Sequence, residues 1–408
     1  MKKTVHFVSL GCAKNRVDSE VMLGHLTADG YEVVHSPEHA QLIVVNTCAF
    51  IDAAKEESVD TILEMARYKD DSAKQLVVAG CLSQRYAPAL AREIPEVDHF
   101  LGTGNFESIA HVVGGRKSRL PIVGQDAARP HARLTGPNAL KPFRHMDPDA
   151  GVAIPDPDFT ITAASPRVRT LPAYTTYVKV SEGCSNTCAF CIIPKLRGPQ
   201  RSRPVADVVA EVARLAEAGA VEVNLIAQDL CAYGKDLTPR QSLAQLLRAL
   251  DNVGAGLGRR LWVRCLYLYP RGLTDEVIDV VAGATHVLPY LDMPLQHISD
   301  PILRRMRRGK GGPATWKLLR QLRARIPNLT LRTTFITGLP GETEADFAEL
   351  CEFVEEIRFE RMGVFTYSRE EDTPAAEMSA QVDPEVAAQR RDTLMAIQRR
   401  ISREQQGS

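Results

Sequence analysis

The sequence predicts an α/β protein: an open parallel sheet at the amino terminus, followed by a partial (β/α) barrel. Three observations lead there. Short apolar runs of strand length alternate with stretches whose apolar residues recur at helical spacing. That alternation occurs twice, on either side of a proline-rich stretch. In both halves, cysteines fall directly after predicted strands.

In the first half, Thr4–Leu10, Gln41–Asn46 and Gln75–Ala79 read as buried strands. The stretches Arg16–Ala28, Asp52–Arg67 and Ser83–Arg92 read as the helices between and after them. Strands separated by helices make βαβ units on a parallel, Rossmann-like sheet. Cys12, Cys48 and Cys81 each lie just beyond the carboxyl end of one of these strands. Ligands bind at that edge of an open α/β sheet, so three thiols from distant parts of the chain can converge there. The alternative is three unrelated buried thiols, since free cysteine is a common small core residue.

The stretch 114–173 holds nine prolines from Pro121 to Pro172, too many for a continuous helix or ladder. It reads as an irregular connector, either a passive tether or a functional lid. The expected domains are therefore 1–113, the linker 114–173, a barrel at 174–368 and a helical tail at 369–408.

The barrel begins with strand Thr175–Val180, and five more strands follow: Val221–Ala227, Leu261–Leu268, Val287–Met293, Thr330–Thr337 and Glu360–Phe365. Helices are expected at Pro204–Ala218, Ser242–Leu250, Thr274–Ala282, 299–307, 313–325 and Glu344–Ile357, and in the tail at Pro384–Ser402. Active sites of such barrels lie at the carboxyl ends of the strands. There the first strand runs into Cys184-Ser185-Asn186-Thr187-Cys188-Ala189-Phe190-Cys191. Three thiolates so tightly spaced can wrap one iron–sulfur cluster and leave its fourth iron open. A zinc knuckle short of one ligand is the other reading.

Several further residues occupy strand ends. Gln228-Asp229 ends the second barrel strand and is either a cofactor contact or a capping pair. Gly338-Leu339-Pro340-Gly341-Glu342-Thr343 ends the fifth; its glycines permit a tight backbone and Thr343 can cap the next helix. Arg304, Arg305, Arg307, Arg308 and Lys310 close a helix, where cations suit the dipole. They form either a solvated face or a docking patch for an anionic partner. Cys231, Cys265 and Cys351 fit no motif and read as ordinary thiols.

Composition narrows the class. The 408 residues carry 50 Lys+Arg and 50 Asp+Glu, so the balance weighs against a generally basic nucleic-acid binder. Nine cysteines argue for a reducing compartment rather than a disulfide scaffold. Met1-Lys2-Lys3 is followed by no apolar signal region, and no uncharged run reaches membrane-spanning length. A soluble, cytoplasmic protein with no membrane partner is expected.

The Cys184–Cys191 spacing, with Ile192-Ile193-Pro194 and Arg197-Gly198 after it, resembles the signature loop of radical S-adenosylmethionine (SAM) enzymes. The segments Ser9–Asn15, Asn46–Phe50 and Ala79–Cys81 resemble the amino-terminal domain of the methylthiotransferases within that superfamily. Tyr367-Ser368-Arg369-Glu370 agrees. The resemblance spans residues 1–114 and about 174–404.

It implies a barrel of the radical SAM type and two [4Fe–4S] clusters. One is held by Cys184, Cys188 and Cys191, the other by Cys12, Cys48 and Cys81. It implies SAM near Gln228, Asp229, Gly338 and Gly341. The first cluster would reduce SAM to a radical, the second would carry the sulfur, and a second SAM would supply the methyl group. The loop Pro294–Asp300, with His297, and the segments Tyr267–Pro270 and Val364–Glu371 resemble members that modify an aspartate of the twelfth small-subunit ribosomal protein. His297 is then either a lining residue of the substrate site or a structural one. Partners implied are that ribosomal protein, an electron donor such as a flavodoxin or ferredoxin, and a sulfur donor. Two alternatives stay open: a tRNA methylthiotransferase acting on isopentenyl-adenosine, and a non-catalytic two-cluster electron carrier. Methylthiotransferases continue into a small β-barrel, the TRAM domain, and this chain is expected to lack it.

Overall fold

A computed structural model describes residues 3–69, 74–114, 145–147, 152–309 and 311–407. By packing, the chain divides into two units. The first comprises residues 1–172, 182–185 and 193–201; the second comprises 173–181, 186–192 and 202–408.

The first unit is built on β1 (Thr4–Ser9), α1 (Ala13–Ala28), β2 (Glu32–Val33), β3 (Leu42–Thr47), α2 (Asp52–Ala66), β4 (Gln75–Gly80), α3 (Cys81–Glu93), β5 (His99–Leu101) and α4 (Ile109–Val113). Its five strands pair in the order β2-β1-β3-β4-β5, all parallel. The strand order reverses between β1 and β3, and in such sheets the crevice at that switch point is the ligand site. β3 is buried along its whole length, as a central strand covered on both faces must be. β2 and β5 are absent from the sequence expectation. They have two and three residues, too few to show a periodic pattern.

The helices α1 and α3 start earlier than their apolar pattern suggests. The first turns of α1 bury Lys14, Asn15, Asp18, Ser19 and Glu20. A helix that turns polar residues inward hides its own start from a hydrophobicity reading.

Two short strands, β6 (His145–Asp147) and β7 (Val152–Ile154), pair antiparallel. The remainder of 115–151 lies outside the described residues, and so does most of the expected linker. Its described end is no loose tether. Arg167 pairs with buried Glu20 at 2.6 Å, and Thr170 N–H donates to the same carboxylate at 2.8 Å. This strap lies across α1 within the first unit.

The second unit opens on β8 (Thr175–Lys179). The short strands β9 (Ser181–Glu182) and β10 (Arg201–Ser202) bracket the cysteine loop and the one-turn helix α5 (Ile193–Arg197). The chain continues through α6 (Val205–Glu217), β11 (Glu222–Ile226), α7 (Leu243–Gly256), β12 (Trp262–Cys265), α8 (Asp275–Gly283), β13 (Val287–Asp292), α9 (Asp300–Arg305), α10 (Gly312–Arg325), β14 (Thr330–Thr337), α11 (Glu344–Ile357), β15 (Arg361–Thr366) and α12 (Pro384–Gln406). Six strands pair in chain order, β8-β11-β12-β13-β14-β15, all parallel. Among the described residues β8 and β15 do not pair, so the barrel is partial. This is the predicted α/β architecture in both halves.

Among the described residues, reciprocal capping boxes fix two helix starts. Ser242 and Gln245 form a reciprocal capping box on α7, as Thr343 and Asp346 do on α11. The expected tail is part of this unit. Leu394 and Ile401 of α12 sit wholly buried in its core, and Gln398 Nε2 donates to Phe359 O at 2.8 Å.

Phe353 of α11 stands edge-on to Trp316, Phe335 and Phe359, with ring centroids 4.6, 6.2 and 5.8 Å away. Such pairs add to ordinary burial. Replacing Phe353 by Ala is expected to lower stability by about 3–5 kcal/mol, read as a drop in the urea midpoint followed by circular dichroism.

Candidate functional site

The first unit gathers its thiols where the sheet topology requires. Cys12 caps the start of α1 after β1, Cys48 follows β3, and Cys81 is the first residue of α3 after β4. Cys12 and Cys48 flank the switch point. A Cβ added to Gly11 would lie 2.8 Å from Cys48 Cβ and 3.2 Å from its Sγ, and Gly11 has φ +84°. Only glycine allows that turn and that approach. Burial pushes the Cys48 thiol up, with a smaller push from Cys12. Burial also pushes Cys81 up to about 12, opposed by the nearby charge of Arg197 and reinforced by Cys48 and Cys12. Cys48 thus feels Cys12, and Cys81 feels both.

Arg197 is the residue that sequence reasoning missed. It ends α5, within the first unit, and is 1% exposed. Its Nη1 donates to Asp18 at 3.1 Å and to Glu182 at 3.0 Å, and its Nη2 donates to Asp18 at 3.1 Å and to Asn15 Oδ1. The Cys81 Sγ lies 3.9 Å from the same Asn15 oxygen. Burial works against the guanidinium charge, but Glu182, Cys81, Asp18 and Cys12 outweigh it and hold the group charged, well above its ordinary value. No periodicity marks these positions. The one available signal was the place of Asn15 in one quoted cysteine motif and of Arg197 just after the other.

The donor set suits an iron–sulfur cluster. The three thiols are soft ligands, and a cation stands beside them to offset the charge of bound thiolates. Among the described residues no group of three His, Cys, Asp or Glu side chains is set to hold a single metal ion. A cluster asks for a different layout, because each thiolate takes a different iron and the ligands stand further apart.

The signature loop is shared between the units' packing: Cys184 belongs to the first, Cys188 and Cys191 to the second. In the first, Cys184 N–H donates to Gly198 O at 2.9 Å, and Gly183 takes φ +75°. In the second, Ala189 is clamped on both sides of its peptide. Its N–H donates to Met306 O at 2.9 Å, and its carbonyl accepts from Ala375 N–H at 2.8 Å. Arg308 lies 4.2 Å over the Tyr269 ring and extends Nη1 to within 3.8 Å of Cys188 Sγ.

Asp229 meets the loop: Asn186 Nδ2 donates to its carboxylate at 2.7 Å, while burial holds that acid above the usual carboxylate range. Gly338 and Gly341 both have positive φ, +80° and +85°. Ala387 of α12 closes on Gly338, and the Arg305 guanidinium lies against Gly341. A cavity of about 300 Å³ opens beside Tyr269, Arg271, Arg308 and Lys317. Gln228, Asp229, Gly338 and Gly341 do not line it.

His297 is wholly buried. Its Nδ1 accepts from Ser299 N–H at 3.0 Å and its Nε2 lies 3.5 Å from Glu342, whose other oxygen is 3.4 Å from Arg390. Its Nε2 faces the Gly338–Thr343 turn but makes no hydrogen bond there among the described residues. Cys231 and Cys265 are buried in the apolar core, as expected of ordinary thiols.

A six-stranded parallel half entered through a three-cysteine loop is the architecture of a radical SAM enzyme. Residues 4–102 match the family described as uncharacterized protein family UPF0004, and residues 178–354 match the radical SAM superfamily. The ribosomal protein uS12 methylthiotransferase RimO of Anaeromyxobacter sp. (strain K) is 51% identical over 407 residues, spanning 100% of this chain and 79% of that one. RimO of Myxococcus xanthus (strain DK1622) is 49% identical over 404 residues, spanning 99% of this chain and 77% of its own. The solved radical SAM methyltransferase TsrM from Kitasatospora setae shares the fold, with TM-score 0.62 at 18% identity over 92% of this chain and 77% of that one. The chain belongs to the RimO family of methylthiotransferases.

Removing the Arg197 cation leaves Asp18 and Glu182 buried without it. Arg197→Met is expected to cost the metal-free protein about 3–5 kcal/mol in urea unfolding. Adding Asp18→Asn and Glu182→Gln to the same chain should recover part of that loss.

Proposed function

We propose that this protein is a radical SAM methylthiotransferase that adds a methylthio group to the β-carbon of an aspartate in the twelfth small-subunit ribosomal protein. The observation that carries the reading is the convergence of Cys12, Cys48 and Cys81 on one sheet edge, beside a buried arginine, in a chain that also holds the Cys184–Cys188–Cys191 loop. The unactivated C–H bond of such a target lies beyond acid–base catalysis at neutral pH. Two [4Fe–4S] clusters and SAM would supply the radical, the sulfur and the methyl group.

The chain's own residues hold and shield. Cys184, Cys188 and Cys191 take one cluster; Cys12, Cys48 and Cys81 take the other. Arg197 compensates the thiolates of the second. The Ala189 clamp fixes the loop that carries Cys188 and Cys191, and Asn186 ties that loop to Asp229. Gln228, Asp229, Gly338 and Gly341 are the residues that would border SAM when it is bound. Cluster loading must displace the proton that burial keeps on Cys81. The electron donor is a flavodoxin or ferredoxin, and a separate donor replenishes sulfur. Among the described residues no helix is long and apolar enough to cross a membrane. The cysteine content suits the reducing cytoplasm.

Reconstituted protein, SAM and reductant are expected to add one methylthio group to the isolated ribosomal protein, read by mass spectrometry. Methylthio-adenosine in tRNA, with no gain on the protein, would overturn the substrate. Cys12→Ala, Cys48→Ala and Cys81→Ala together should halve the bound iron and abolish methylthiolation, while 5′-deoxyadenosine still forms from SAM. Cys188→Ala should abolish both products.

A further inference from the structure

The basic run that closes α9 serves neither cluster as a ligand. Arg304, Arg305 and Arg307 are exposed, and among the described residues none of them pairs with a carboxylate. Lys310, the fifth member of the expected run, lies outside the described residues. A helix of six residues has little dipole to absorb three cations. What distinguishes this face is the material directly beneath it. Met306, between the exposed arginines, is fully buried, and its carbonyl accepts the Ala189 N–H at 2.9 Å. Ala189 directly follows Cys188. From the same turn, half-buried Arg308 reaches Cys188 Sγ at 3.8 Å. One hydrogen bond and one side chain therefore join an exposed cationic patch to the metal-binding loop.

We propose that this face docks a small acidic one-electron carrier, and that electrons enter along Met306, Ala189 and Cys188. The inference rests on the radical SAM reading and adds the surface that serves it. The reduced carrier loses one electron and the centre on the signature loop gains it; no bond is made or broken. RNA phosphates would also be drawn to three arginines. Phosphate binding, however, gives no reason for those arginines to sit within two residues of the backbone partner of Ala189.

The test is the double variant Arg304→Glu and Arg307→Asn. Asparagine tolerates the left-handed backbone of Arg307, φ 55°. Arg305 is left intact because it packs on Gly341, and Arg308 because it reaches Cys188. Binding of oxidised flavodoxin to the metal-free chain is measured at low and high salt. Wild type should bind with a steep salt dependence; the variant should bind about tenfold more weakly with a flatter one. In the reconstituted proteins, 5′-deoxyadenosine formation driven by flavodoxin should fall about tenfold in the variant, while the dithionite-driven rate stays unchanged. Equal flavodoxin binding and rate in the two proteins would overturn the proposal. So would loss of ribosomal RNA binding with the flavodoxin-driven rate intact. Failure of dithionite to yield product in wild type would strike the radical SAM reading instead, and the binding measurement would still decide the patch.

Discussion

The first unit depends on a buried charge. Arg197 is surrounded by Asn15, Asp18 and Glu182, all nearly free of solvent. An ion taken from water costs several kcal/mol unless geometry and hydrogen bonds return most of it. Here two carboxylates and an amide oxygen do so. They come from α1 and from the strand entering the cysteine loop, so neither segment can shift without stranding a charge. The same constraint explains why α1 buries polar residues at its start. Asn15 and Asp18 face the Arg197 cation, Glu20 faces Arg167, and Ser19 bonds Ser9 and Asn46, so polar partners rather than an apolar core surround them.

The second unit solves a different problem. Its cysteine loop needs a rigid backbone, yet a loop has few hydrogen bonds of its own. Ala189 is clamped by Met306 and Ala375, and its methyl group sits in a small apolar cluster with Ile302, Met306, Leu339 and Ala375. Leu339 belongs to the Gly338–Thr343 turn, where the Glu342 carboxylate accepts the Gly338 N–H and Arg390 Nη1 donates to the Glu342 carbonyl at 3.2 Å. Arg390 lies on α12, and Ala387 of that helix closes on Gly338 while its carbonyl accepts the Thr337 hydroxyl at 2.9 Å. The carboxy-terminal helix therefore shapes the turn at the end of β14. It is a working part of the barrel rather than an appendage.

His297 shows how far a motif can be read. A lining role at the substrate site was one of two readings of its loop. In the fold His297 is wholly buried; Nδ1 accepts from Ser299 N–H, and Nε2 has no hydrogen-bond partner among the described residues.

Strand and helix order, the parallel sheets and the placing of thiols after strands were all legible in the chain, because side-chain periodicity and the carboxyl-edge rule are local consequences of backbone geometry. The short strands β2 and β5 were not, since two or three residues carry no period. Arg197 was hidden for a deeper reason. A buried ion pair is defined by partners 15 and about 180 positions away in sequence, at Glu182 and Asp18, and no local pattern encodes such a meeting. The cysteine spacing left an iron–sulfur cluster or a zinc knuckle open, and the resemblance of the two cysteine motifs indicated the chemistry. Only the folded chain decided which charges stand beside the thiols, because electrostatic neighbours are chosen by packing rather than by order along the backbone.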